Sequence, residues 1–283
     1  MNRPSVPHVP RGHRRAVPLR ADRYGRRDDP TVNSTWFRRY TTPGNGPRLV
    51  CFPHAGGSAT AYRPLALALA ADLDTVCVQY PGRQDRYSEA PFTDLTRLAG
   101  AVAEELAPVL AAEPGRPYAL FGHSMGSLVA FETARLLARG PLPGPRRLFL
   151  SGRGAPDAHS TAGFARYDDD AVLAEVRRLG GTDQSMLDDP DIMEMALPAL
   201  RADYRALGSY GWRGGEPLAA PVTVLVGDGD PMVTVEQAGT WATHTRGDFA
   251  VKVFPGGHFY LFDQVDEIAA VLTEGLLTES AAA

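Results

Sequence analysis

Lysine is nearly absent from this sequence: Lys252 stands alone among 29 basic residues, and the others are arginine. With 29 glycines and 24 prolines, that reads as a coding bias and says nothing about function. Cysteine is also scarce. Cys51 and Cys77 lie in the apolar runs LVCF and TVCVQY. Two thiols make neither a disulfide framework nor a metal centre, so both are expected buried and free in a reducing compartment. No apolar run reaches the ~18 residues of a membrane span. No apolar segment follows the early arginines Arg14 and Arg15, so no export signal is expected and the chain is read as cytoplasmic.

Charge is uneven along the chain. Residues 1–30 hold eight Arg and three Asp, while the whole chain carries −4, so the body is acidic. No basic stripe with interleaved aromatics is present, which argues against nucleic acid as a partner. The Arg-, Pro- and Gly-rich segment 1–34 cannot bury a core and reads as a disordered basic tail. The remaining composition is ordinary for a globular domain: 44% hydrophobic and 22% charged over 283 residues.

From Arg48 onward short apolar runs alternate with helical stretches. The runs Arg48–Phe52, Thr75–Tyr80, Tyr118–Phe121, Arg147–Leu150, Val222–Val226 and Ala250–Phe254 are apolar on both faces, as buried parallel strands require. Helices are predicted over Thr93–Leu110, Met125–Arg139, Thr234–Thr245 and Val265–Leu277. In the first, Leu95, Leu98, Val102, Leu106 and Val109 share one face. Alternating strands and helices imply an α/β fold with a mostly parallel sheet. About seventy residues between Leu150 and Val222 lack a clear strand. Helical patterns at Asp169–Leu179 and Asp191–Leu207 fill them, together with Met186, Met193 and Met195. Such an excursion, about 156–210, reads as a helical lid over a site, and flexible Met side chains would adapt to varied apolar ligands.

Gly122-His123-Ser124-Met125-Gly126 carries the chemistry. A strand precedes it and a helix follows, the setting in which G-x-S-x-G holds an exposed serine on a sharp turn. A serine hydroxyl needs a base to take its proton and a carboxylate to orient that base. On such a turn the chain order is Ser, acid, His. Of the seven histidines, only His159, His244 and His258 follow Ser124, and only His258, in FPGGHF, follows directly on a strand. Asp230 in GDGDP, after Val222–Val226, is the leading acid. Asp228 beside it suits a turn-shaping role, and Asp157, after Arg147–Leu150, is the competing acid. Met125 N–H, at a helix start, and Ala55 N–H, in PHAGGS, are the candidate oxyanion donors. His54 reads as a loop-shaping residue.

The blocks LVCFPHAGGSA, VQYPGRQDR, FGHSMGSLVAFE, VGDGDPMV and GGHFYL together resemble the stand-alone type II thioesterases of polyketide and nonribosomal peptide assembly lines, from about Trp36 to Leu277. The resemblance implies an α/β-hydrolase fold over 35–283, helices on both faces of the sheet, and a lid. It implies hydrolysis of aberrant acyl thioesters from the phosphopantetheine arms of acyl or peptidyl carrier proteins. It supports Ser124, Asp230 and His258 as a triad, with Met125 and Ala55 as oxyanion donors. Neither metal nor organic cofactor is called for. It leaves Arg83 and Arg86 of YPGRQDR without a chemical role; each reads as an ion pair or loop anchor. A carboxylester hydrolase or lipase, an acyltransferase, and a non-catalytic carrier-protein binder remain the rival readings.

Overall fold

The computed structural model describes residues 34–158, 161–181 and 184–277, with the side chains of Gln184 and Met186 set aside. The expected basic tail lies outside them except for Ser34, and His159 lies outside them too. The apolar runs become strands: β1 (Phe37–Arg38), β2 (Arg48–Phe52), β3 (Asp74–Val78), β4 (Tyr118–His123), β5 (Arg147–Ser151), β6 (Val222–Gly227) and β7 (Phe249–Phe254). Every residue of β2, β3, β4 and β6 is buried, which is why these strands read as continuous rather than alternating apolar runs. The seven-stranded sheet runs β1-β3-β2-β4-β5-β6-β7, and only β1 is antiparallel to its neighbour. β1 is two residues long and lacks an apolar run, so pattern reading misses it.

The helices are α1 (Arg63–Ala68), α2 (Leu95–Ala111), α3 (Met125–Leu137), α4 (Asp169–Leu179), α5 (Gln184–Leu187), α6 (Pro190–Ser209), α7 (Val235–Gly239), α8 (Tyr260–Asp263) and α9 (Val265–Leu277). The predicted stripe of α2 is buried as expected, each such side chain stabilising by about 2 kcal/mol. Its start moves from Thr93 to Leu95 because Asp94 caps it, accepting Arg97 N–H at 2.9 Å. The helix expected over Thr234–Thr245 divides into α7 and a tight 3-10 turn over Thr240–His244. β3 ends at Val78, before the expected Tyr80; Gln79 N–H still donates to Trp36 O at 2.7 Å beside β1, and its side chain accepts Ala59 N–H at 2.8 Å.

This topology fixes where a site can form. The chain passes from β2 to β3 on one side and then places β4 on the other side of β2. The loops leaving β2 and β4 therefore diverge at a crevice on the carboxyl edge, the usual ligand position in such sheets. The segments after β6 and β7 end at the same edge. The long excursion between β5 and β6 carries α4 and α6, where the sequence predicts two helices, and between them the short α5, which it does not predict.

Candidate active site

Ser124 closes β4 and opens α3 with φ 55° and ψ −116°. An L-residue there costs of order 1–3 kcal/mol, and surrounding contacts must enforce it. They do. Ser124 N–H donates to Ser151 O at 2.8 Å, and the single Ser127 hydroxyl proton is shared between Gly122 O at 2.8 Å and Ser151 O at 2.9 Å. The flanking glycines are steric necessities: a Cβ on Gly122 would strike the Gly126 carbonyl, and one on Gly126 would strike the Phe52 carbonyl.

The elbow aims Ser124 Oγ at His258 Nε2, 2.9 Å away. His258 Nδ1 lies 2.8 Å from Asp230 Oδ2. The Asp230 carboxylate accepts, so Nδ1 carries the proton and Nε2 is left as the acceptor for the serine hydroxyl. Asp230 Oδ1 accepts Met232 N–H at 2.8 Å, so both carboxylate oxygens are committed. The side chains of His258 and Asp230 are fully buried, and Ser124 is 6% exposed. Asp157, the competing acid, instead meets His244 Nε2 at 2.8 Å and its side chain is half-exposed. Asp228 Oδ1 accepts Gly256 N–H at 3.0 Å, which ties the two loops together as a turn-shaping residue would.

Met125 is the first residue of α3, where a backbone N–H has no acceptor within its helix. Ala55 lines the same cavity as Ser124 and His258. Two further histidines surround His258. Burial first, then His258 and Arg83, bring His54 down to about 3. Burial, His258 and His54 depress His123 well below the usual imidazole value. Both stay neutral near pH 7, so neither places a positive charge beside His258. His123 Nδ1 lies 2.9 Å from Ser151 Oγ, which in turn lies 2.7 Å from Tyr260 OH. Nothing in the local sequence marked this buried chain, because its members come from three separate segments.

The cavity beside Ser124 holds about 230 Å³. Its walls combine His54, Ala55 and Phe259 from the sheet edge with Val176, Leu187, Met193 and Leu200 from the excursion helices. Met193 faces this cavity, whereas Met195 is 64% exposed and points elsewhere. Among the described residues, no cluster of His, Cys, Asp or Glu could hold a metal ion, and no helix is long and apolar enough to cross a membrane. Arg83 pairs with Asp203 through two hydrogen bonds of 2.7 and 2.9 Å. Arg86 pairs with Glu89 and stacks 4.2 Å over Trp36. Both arginines are the loop anchors that YPGRQDR led us to expect. Asp203 was missed. The available signal was an aspartate on the apolar stripe of α6, between Leu200 and Leu207.

Residues 47–274 match the family model described as Thioesterase domain. The chain is 44% identical over 264 residues to a probable cadicidin biosynthesis thioesterase of Streptomyces griseus, covering 91% of this chain and 72% of that protein. It is 42% identical over 247 residues to thioesterase PikA5 of Streptomyces venezuelae, covering 86% and 85%. Among solved structures it is similar to the type II thioesterase BorB from the borrelidin biosynthetic cluster. That similarity has a TM-score of 0.76 and 44% identity, over 85% of this chain and 97% of that one. The family match spans β2 to β7, the serine elbow and the segments bearing Asp230 and His258, and the chain belongs to the thioesterase family of α/β hydrolases.

Proposed function

We propose that this chain is a type II thioesterase that hydrolyses acyl groups, aberrant ones among them, from the phosphopantetheine arms of carrier proteins in polyketide or nonribosomal peptide biosynthesis. The reading rests on the hydrogen-bonded line from Asp230 through His258 to Ser124 at the mouth of an apolar cavity. A relative named as a probable cadicidin biosynthesis thioesterase and a solved type II thioesterase from the borrelidin biosynthetic cluster support the substrate class.

The chemistry follows from the geometry. His258 Nε2 takes the Ser124 proton as Oγ attacks the thioester carbonyl carbon. The carbonyl oxygen gains the electron pair and rests on Met125 and Ala55 N–H, helped by the positive end of α3. Loss of either donor is expected to raise the barrier by about 3 kcal/mol. The C–S bond then breaks, the thiol leaves with the proton from His258, and an acyl-serine remains. Water repeats the sequence: His258 takes its proton, the hydroxyl oxygen bonds the acyl carbon, and Ser124 recovers its hydrogen as the free acid departs. Asp230 stabilises the imidazolium in both halves. The largely apolar cavity would hold the acyl chain.

The test offers three substrates to the wild type and to Ser124→Ala: an acyl-loaded carrier protein, an acyl-CoA and a simple oxygen ester. Release from the carrier protein that vanishes in Ser124→Ala is the expected result. Fast cleavage of the oxygen ester with the carrier-bound chain untouched would make the protein an ester hydrolase. No turnover of any substrate would make it a binder.

A further inference from the structure

The Arg83–Asp203 pair is sealed from water, with Arg83 6% and Asp203 1% exposed. Burial alone would lower the Arg83 pKa, but the Asp203 carboxylate more than offsets this and the guanidinium stands above its ordinary value. The pair joins three parts of the chain. Arg83 comes from the loop after β3, and Asp203 from α6. Between them lies the loop after β2. Asp203 Oδ2 accepts Gly56 N–H at 2.7 Å, and Arg83 Nη1 donates to Gly57 O at 3.0 Å. A donor and an acceptor on adjacent glycines are thus gripped from both sides, one residue away from Ala55. Contact reinforces the grip. Leu200, one turn before Asp203, packs so closely on Gly56 that a Cβ there would collide with its Cδ2. The helix holding Asp203 also builds the cavity, through Ile192, Met193, Ala196, Leu200, Tyr204 and Leu207.

We propose that Arg83 and Asp203 are positioning residues for hydrolysis, fastening the oxyanion loop to α6 so that Ala55 N–H is aimed at the developing oxyanion while α6 is seated over the cavity. The inference rests on the reading of Ser124 and Ala55 given above. A tight ion pair would be redundant for stability alone, because a matched apolar pair commonly serves a fold as well or better. What an apolar pair cannot do is accept Gly56 N–H. With that acceptor gone, the loop loses its fixed orientation, and a displacement of about 1 Å at a reacting group can cost about 100-fold in rate. An acyl chain that lifts α6 would lift the acceptor with it, so the fit of the chain would be read out as rate.

The experiment uses the full chain and propionyl-N-acetylcysteamine as a small thioester, with Asp203→Asn and the double variant Arg83→Met/Asp203→Leu. The double variant is designed to fold with an apolar pair in place of the charges, and decides the matter if Asp203→Asn does not fold. Folding is checked by near-UV circular dichroism and melting temperature. In the double variant, which has no acceptor for Gly56 N–H, we expect kcat to fall about 10- to 100-fold while KM changes less than threefold, and in Asp203→Asn, whose amide oxygen still accepts, a smaller fall. The affinity for an alkyl boronic acid, whose tetrahedral adduct on Ser124 places an oxygen in the hole, should fall by the same factor as kcat. A folded double variant with wild-type kcat, or a loss confined to KM, would overturn the proposal. Ser124→Ala is run in parallel. If it is dead while the folded pair variants run at full rate, only this inference fails; if it remains active, the site reading itself fails.

Discussion

Ser124 sits in a backbone conformation that suits glycine, and that strain has a measurable consequence. Ser124→Ala and Ser124→Gly both remove the hydroxyl and its bond to His258, so the comparison between them isolates the backbone. Alanine keeps a Cβ at φ 55° and retains the strain, of order 1–3 kcal/mol. Glycine removes the strain but adds backbone freedom to the unfolded chain, at about 0.5–1 kcal/mol. The difference leaves Ser124→Gly more stable than Ser124→Ala by about 1 kcal/mol, or about 2–4 °C in Tm for a domain of this size class. At an unstrained position the order is reversed. Urea denaturation and calorimetry of the two variants decide it. Ser124→Gly less stable than Ser124→Ala by the ordinary glycine penalty would mean that the elbow stores no strain, and the enforced serine geometry would lose its physical basis.

Asp230→Asn should lower kcat by about 10⁴-fold, because an amide facing His258 favours the wrong imidazole tautomer; stopped thioester assays with free-thiol detection read it. Asp157→Ala should change kcat less than twofold, since that carboxylate is engaged by His244; a large loss would move the acid to the segment after β5. Ala196→Leu narrows the cavity wall and should lower kcat/KM for longer acyl thioesters relative to propionyl, by about 10-fold or more per excluded methylene. Stability should fall in acid through the buried imidazoles. The folded His54 value, about 3, lies below the ordinary 6.5, so the unfolded chain binds the proton first. The stabilisation is present above pH 6.5 and is lost as pH falls toward 3, with a limiting slope of about 1.4 kcal/mol per pH unit for each such histidine. His54→Gln should flatten the difference between urea midpoints at pH 7 and pH 5.

The sheet was legible because its strands are buried on both faces and separated by turn signals; six of its seven strands stand where apolar runs predict them. The two-residue β1 lacked such a signal, and α1 and α8 are too short to display a period. Ser124, Asp230 and His258 were legible for a topological reason: each follows a strand ending at the same sheet edge, so chain order and strand ends suffice to propose that they meet. Chain order alone left Asp157 in contention. Its separation from His258 by the His244 contact is a tertiary fact. Asp203 carried a faint signal, a carboxylate on an apolar helix stripe, but its partners, like those that join His123, Ser151 and Tyr260, lie far away in the chain and could not be named from it. The anchoring of Arg83 could be expected from the sequence, but its partner on α6 could not.

The most direct test of the account is a single-turnover reaction of acyl-loaded carrier protein with excess enzyme, quenched in acid, digested and mapped by mass spectrometry. The account predicts a transient acyl mass on the peptide containing Ser124, forming with thiol release and decaying as free acid appears. Free acid released with no acyl group ever found on Ser124, and at an undiminished rate from Ser124→Ala, would contradict it.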